Sequence, residues 1–203
     1  IDSIRNSLTS VQDTQLVNSY VRLASSRLVS DEDALNYAQL GVDLADSIRY
    51  DDGQIKLTYL LGHLAHHFRK YQSAVELYKE GISLARDAGT EGEILRGYRY
   101  IVNHLYQLNQ MDSCLIYNGL YREQAAEIGD SLAIASSHTR DANYYFQKSL
   151  TELSLESFIS ASRILERLRD TTELIRSYGN IAMVLERKDE DKDATTYYRK
   201  ALQ

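Results

Sequence analysis

The side chains able to do chemistry in this 203-residue chain are five histidines, one cysteine and scattered carboxylates. His63, His66 and His67 form an H-x-x-H-H run. On a helix, His63 and His67 stand one turn apart, a spacing from which two imidazoles can hold one metal ion. Leu64 and Ala65 supply no carboxylate between them, so a third ligand would have to come from another helix. The alternative is a pair on a solvated face lining a groove, and no metal is expected. His138 and Asp141 are also three apart, at positions where other parts of the chain are apolar. A buried carboxylate is costly unless paired. Asp141 therefore bonds His138 or Arg140, or its helix is locally wet. The single Cys114 excludes an internal disulfide and a cysteine-based zinc site. There is no Gly-rich phosphate loop, G-x-S-x-G elbow or H-E-x-x-H pair, so no catalytic residue, cofactor or enzymatic activity is expected.

Elements that could position these groups are helical by composition. Proline is absent, glycine numbers 10 and tyrosine 16. Charged residues make up 26% and hydrophobic ones 43%, a globular balance. The 23 Lys+Arg against 29 Asp+Glu leave a formal charge of −6, which argues against a nonspecific nucleic-acid coat. No stretch is apolar for long enough to insert in a membrane. The chain begins at Ile1 without Met or a signal segment, as expected of a piece of something longer.

A period of 40 residues organises the chain. Small residues recur at Ala34, Ala74, Cys114, Ser154 and Ala194. A second series is Gly41, Gly81, Ala161 and Ala201, lapsing at Tyr121, and a third is Gly62, Val102, Ala142 and Ala182. Tyr78, Asn118, Phe158 and Tyr198 form a fourth column. Each unit holds two stretches with apolar residues spaced three and four apart, the signature of paired amphipathic helices. Gly89 and Gly129 suit left-handed helix C-caps, and Asp52, Thr90, Asp130 and Asp170 or Thr171 suit N-caps. The expected boundaries are a lead-in helix over 1–12 and pairs over 13–52, 53–92, 93–132, 133–172 and 173–203, the last truncated. Small residues let helix backbones approach at crossings, while an aromatic one turn away fills the remaining space. Cys114 is thereby expected to be buried and unreactive.

The pattern resembles the tetratricopeptide repeat. The residues carrying the resemblance are Leu61-Gly62, Tyr71, Ala74, Tyr78 and Gly81, and again Tyr178, Ile181-Ala182, Ala194, Tyr198 and Ala201. Departures are the 40-residue period, where the family has about 34, the missing terminal proline, a shortened first turn before Ala34, and Asp141 where the family prefers Leu. The resemblance implies an all-α, right-handed superhelical solenoid of five helix pairs that binds protein or peptide along its concave face. The segment from Ser30 to Ile48 is also similar to the first repeat of sensor regions that precede a membrane helix in bacterial histidine kinases and helix-turn-helix regulators. That implies a periplasmic part of a membrane-anchored signalling or transcription regulator, with a cytoplasmic regulator domain as the alternative.

Helix geometry selects the side chains that face away from the small-residue column of each first helix. The resulting stripe includes Lys56, Tyr59, Leu60, His63, His66 and His67, then Arg96, Arg99, Tyr100, Asn103 and Tyr106. It continues with Ser136, Thr139, Arg140, Asn143 and Phe146, then Arg176, Asn180, Met183, Glu186 and Arg187. Six of the full set are Lys or Arg and one is acidic, a formal +5 within a chain of −6. Such a face suits an acidic or carboxylate-bearing extended peptide. Arginine gives bidentate contacts, and Asn103 and Asn143 can hold the peptide backbone. The competing view is a solvated face neutralised by Glu93, Asp130 or Glu173. A scaffold or dimerisation spacer remains the other functional class, because the last pair lacks a polar capping helix and could meet a second copy or further chain.

Overall fold

The computed structural model describes residues 2–202, with side chains from residue 12 onward. The described residues form ten α-helices and no strand: α1 (Asp2–Ala24), α2 (Asp31–Ser47), α3 (Asp51–His67), α4 (Tyr71–Asp87), α5 (Glu91–Gln107), α6 (Met111–Glu127), α7 (Ser131–Gln147), α8 (Thr151–Leu168), α9 (Thr171–Arg187) and α10 (Asp191–Ala201). From α2 onward each helix begins 20 residues after the last, so one 40-residue repeat is one helix pair. The expected lead-in helix over 1–12 is not a separate element, because α1 continues unbroken to Ala24. Without glycine or proline in this stretch, nothing interrupts its hydrogen-bond ladder.

The turns obey the same count. Arg49, Arg69, Gly89, Asn109, Gly129, Ser149, Arg169 and Asp189 all have positive φ. In each turn the next residue's N–H bonds back across the helix end, as in Tyr50 to the Ala45 carbonyl at 2.8 Å and Glu190 to the Leu185 carbonyl at 3.0 Å. The left-handed residue's own N–H reaches a carbonyl three residues back, Arg49 to Asp46 at 3.0 Å. This pair of bonds is the Schellman motif, which satisfies carbonyls a helix end otherwise leaves bare. Gly89 and Gly129 take the expected conformation, and the other six turns impose it on residues with a Cβ.

The N-caps are fewer than expected. Asp130 accepts from the Ala133 N–H at 2.9 Å and Asp170 from the Glu173 N–H at 3.1 Å. Asp52 lies inside the first turn of α3 and pairs with Lys56, while Thr90 donates its hydroxyl to the Ala85 carbonyl.

Tertiary contacts divide the chain into two compact units, Ile1–His104 and Leu105–Gln203. In the first, Val17, Ala38, Ala45, Leu57, Leu61 and Leu64 form a buried cluster. Gly62 lies against the Tyr78 ring and Gly81 against the Tyr59 ring so closely that a Cβ at either would collide. In the second, Ala142, Phe158, Ile181, Ala182, Val184, Leu185 and Ala194 form the core. All five residues of the first small column, Ala34, Ala74, Cys114, Ser154 and Ala194, are buried. Minimal bulk at the crossings and one large ring beside them is therefore the packing rule of both units.

Candidate ligand-binding faces

In the first unit the stripe converges. Lys56, Tyr59, Leu60 and His63 of α3 and Arg96 and Tyr100 of α5 line a hollow of about 260 Å³, with Val21 of α1 and Ser25 just beyond that helix on one side. Tyr59 is a correction to the expected contact surface, for it is only 2% exposed. Its hydroxyl donates to the Glu93 carbonyl at 2.8 Å, and burial together with Glu93 pushes its pKa up. It serves as a wedge between α3 and α5.

The charge of this face is lower than the count of residues implies. Lys56 lies 2.7 Å from Asp52 and Arg96 lies 2.9 Å from Glu93. Both partners sit one helical turn away, where such pairs form readily. Arg99 is exposed, makes no ion pair among the described residues, and has its guanidinium 5.9 Å from the Tyr100 ring centre. Asn103, one turn further along α5, is exposed.

The histidines do not gather around a common point. His63 Nδ1 is 2.9 Å from the Tyr78 hydroxyl, and His67 Nε2 is 2.9 Å from Asp31. His66 instead meets His104, with their Nδ1 atoms 2.6 Å apart. One Nδ1 must carry the proton that the other accepts. Tyr71 and Tyr78 stand edge-on to His104, and Tyr100 stands edge-on to His63. Displacement of water by these rings lowers the pKa of His63, with further lowering from His66 and His104. Burial and then His66 lower that of His104, partly opposed by the Tyr71 backbone. Burial and Tyr100 push the Tyr78 hydroxyl's pKa up, so it keeps its proton and donates to His63 Nδ1 in the tautomer that carries its proton on Nε2. His104 escaped the sequence reading. Its signal was a histidine in the otherwise apolar column of Leu64, Tyr144 and Val184.

In the second unit the expected residues are more dispersed. Arg140 and Tyr106 help line one small hollow beside Cys114, and the Arg140 guanidinium sits 5.2 Å from the Tyr121 ring centre. Asn143 and Asn180 are half-buried. Arg176 is exposed and pairs with Glu173 at 2.8 Å. Arg187 folds back onto the Phe146 carbonyl and the Ser149 hydroxyl. Three of the six cations of the stripe thus carry carboxylate partners, so the formal +5 overstates the field available to a ligand.

Asp141 takes two partners from α6 that the sequence reading did not name. Its carboxylate takes Arg122 on one oxygen and the Asn118 amide, at 2.7 Å, on the other. The same amide donates to the Ser137 carbonyl at 2.8 Å. Cys114 is 6% exposed, and burial pushes its thiol pKa up, aided by Asp141 and opposed by Arg140. Among the described residues no helix is long and apolar enough to cross a membrane.

Comparison with known proteins follows this geometry. Residues 55–87 and 175–203 match the tetratricopeptide repeat family. Curated protein sequences give no significant match. BtubC (BKLC) from P. vanneervenii has a similar structure, with a TM-score of 0.64, 15% identity, and coverage of 95% of this chain and 87% of that one. The apo form of RapI gives a TM-score of 0.74 at 13% identity, over 84% of this chain and 48% of RapI. A signal transduction ATPase with numerous domains, carrying a tetratricopeptide repeat sensor, from Pyrococcus horikoshii gives 0.64 at 16% identity, over 85% of this chain and 28% of that one. These likenesses establish a shared helical-repeat fold.

Proposed function

We propose that this chain is a protein- or peptide-binding module that works by recognition, without chemistry of its own. Its first unit takes an extended peptide bearing carboxylates. The observation that supports this most is Arg99, an exposed guanidinium held over Tyr100 and without an ion-pair partner among the described residues. Tyr100 lines a hollow whose walls add the His63 imidazole and the ion-paired Lys56 and Arg96. A planar guanidinium grips a carboxylate through two parallel hydrogen bonds, while Tyr100 offers stacking area at low entropic cost. The groups most suited to catalysis are otherwise engaged: Asp141 holds Arg122 and Asn118, and Cys114 is buried.

A displayed library of extended peptides tests the reading. Selected peptides should be rich in Asp and Glu, and Arg99→Glu should lower their affinity by more than about tenfold while leaving the thermal midpoint in place. Peptides without acidic enrichment, or equal affinity for R99E, would overturn it.

We infer further that the module supplies the input of a bacterial signalling or transcription regulator, on the periplasmic side of a membrane. The sequence likeness of the segment from Ser30 to Ile48 to such sensor regions supports this, as does the sensor role named for the P. horikoshii repeats. Fusing a side-selective reporter enzyme to the full-length parent tests it. Activity only on the cytoplasmic side would favour a soluble regulator instead.

A further inference from the structure

A crevice between helices stands at corresponding positions two repeats apart, filled in the first unit and open in the second. Between α3 and α5 it is plugged by Tyr59, whose ring lies over Gly81 and whose hydroxyl lies beside Gly97. Two repeats later the corresponding residues are Thr139, Ala161 and Ser177. Ala161 and Ser177 are buried, and Thr139, which lines the opening, is too short to fill the space that a tyrosine takes. The result is a hollow of about 400 Å³ between α7 and α9, within the range of small-ligand sites.

Its lining differs from that of the first unit. Leu132, Ala135 and Leu165 form an aliphatic wall, and Ser136 and Thr139 add hydroxyls. The charged groups on the lining are the carboxylates of Asp170 and Glu173. The Glu-Arg pair is repeated in register, Glu93 with Arg96 and Glu173 with Arg176. Under Tyr59 the Glu93 side chain is 15% exposed, whereas without a tyrosine Glu173 is 45% exposed. Arg176 is itself 69% exposed, so its hold on Glu173 is the weak kind that an incoming cation can displace. The N-terminus of α9 contributes about half a positive charge, which two carboxylates outweigh.

We propose that this hollow is a binding pocket for a lysine side chain of the captured polypeptide. The aliphatic stem lies along Leu132, Ala135 and Leu165, and the ammonium meets Asp170 and Glu173. The proposal deepens the peptide-binding reading and rests on it. It adds, within the second unit, a pocket with the opposite charge preference to the Arg99 face of the first.

Methyl NMR of the intact protein tests it with small probes. N-acetyl-lysine amide should move the Leu132, Thr139 and Leu165 methyls saturably. N-acetyl-norleucine amide, with the same stem and no charge, and N-acetyl-glutamate amide should each bind at least about tenfold more weakly. Asp170→Asn keeps a capping oxygen, and with Glu173→Gln it should erase the preference for lysine over norleucine. Thr139→Leu should block the pocket. No saturable shift with the lysine probe, or equal binding of norleucine, would overturn the pocket, and neither needs a variant to fold. Acidic-peptide capture through Arg99 is measured separately, so either idea can fail alone.

Discussion

The Asn118 amide donates to one carboxylate oxygen of Asp141 at 2.7 Å, joining two residues that both depart from their repeat columns. Asn118 stands where Tyr78 and Phe158 supply rings, and Asp141 where Leu61, Ile101 and Ile181 are apolar. Two exceptions in sequence are thus one feature in space, completed by Arg122 and the Ser137 carbonyl. A polar network in an apolar crossing is tolerable only when its members satisfy one another.

Removing one member should therefore cost more than the bond itself. Asp141→Ala takes from Arg122 and Asn118 the carboxylate they share, and unfolding in urea should show a loss of about 2–3 kcal/mol, below the range for a fully buried pair because Arg122 is partly exposed. A double-mutant cycle with Arg122→Ala should give an interaction energy of about 1–3 kcal/mol. Additive losses would mean that the two side chains act independently.

The six non-glycine left-handed turns offer stability that the sequence has left unused. Arg69→Gly and Ser149→Gly should each raise stability by about 0.5–1 kcal/mol, since a Cβ in this conformation costs about 1–2 kcal/mol and glycine loses more entropy on folding. Gly89→Ala should lower it by about 1 kcal/mol. No atom lies within 4 Å of a Cβ placed at Gly89, so that cost is purely conformational. A higher thermal midpoint for G89A would refute the account.

Acid should weaken the first unit. His63 and His104 have pKa values below the ordinary 6.5, so below about that pH the unfolded chain binds protons that the folded chain refuses. Stability is complete above 6.5 and falls as pH drops toward the folded values. His138, lowered by burial and by Arg122, adds the same trend in the second unit. The urea midpoint should drop between about pH 7.5 and about pH 5.5, and drop less in His104→Phe. An equal drop in both proteins would remove His104 from the cause.

Tyr59 should behave as a wedge. Tyr59→Phe gives up the bond to the Glu93 carbonyl and should cost about 1 kcal/mol, whereas Tyr59→Ala should cost about 3–5 kcal/mol by opening the crevice. Calorimetry of both variants checks this, and a cost near zero for Y59A would make the plug incidental.

Much of the architecture was written in the sequence. Helix formation depends on spacings of three and four within one stretch, and nesting depends on which columns are small; both are local or strictly periodic properties. Gly62, Ala74 and Ala182 announced their burial, and Gly89 and Gly129 their turns. What tertiary structure alone decided was the partner of each polar side chain. His66 meets His104 across 38 residues, Asp141 takes Arg122 from 19 residues away, and Tyr59 turns inward while Arg99, in the same column, stays outside. Periodicity fixes which side of a helix a residue occupies. Whether two side chains touch depends on helix rotation and crossing geometry within a few ångströms, set by the whole packed interface at once.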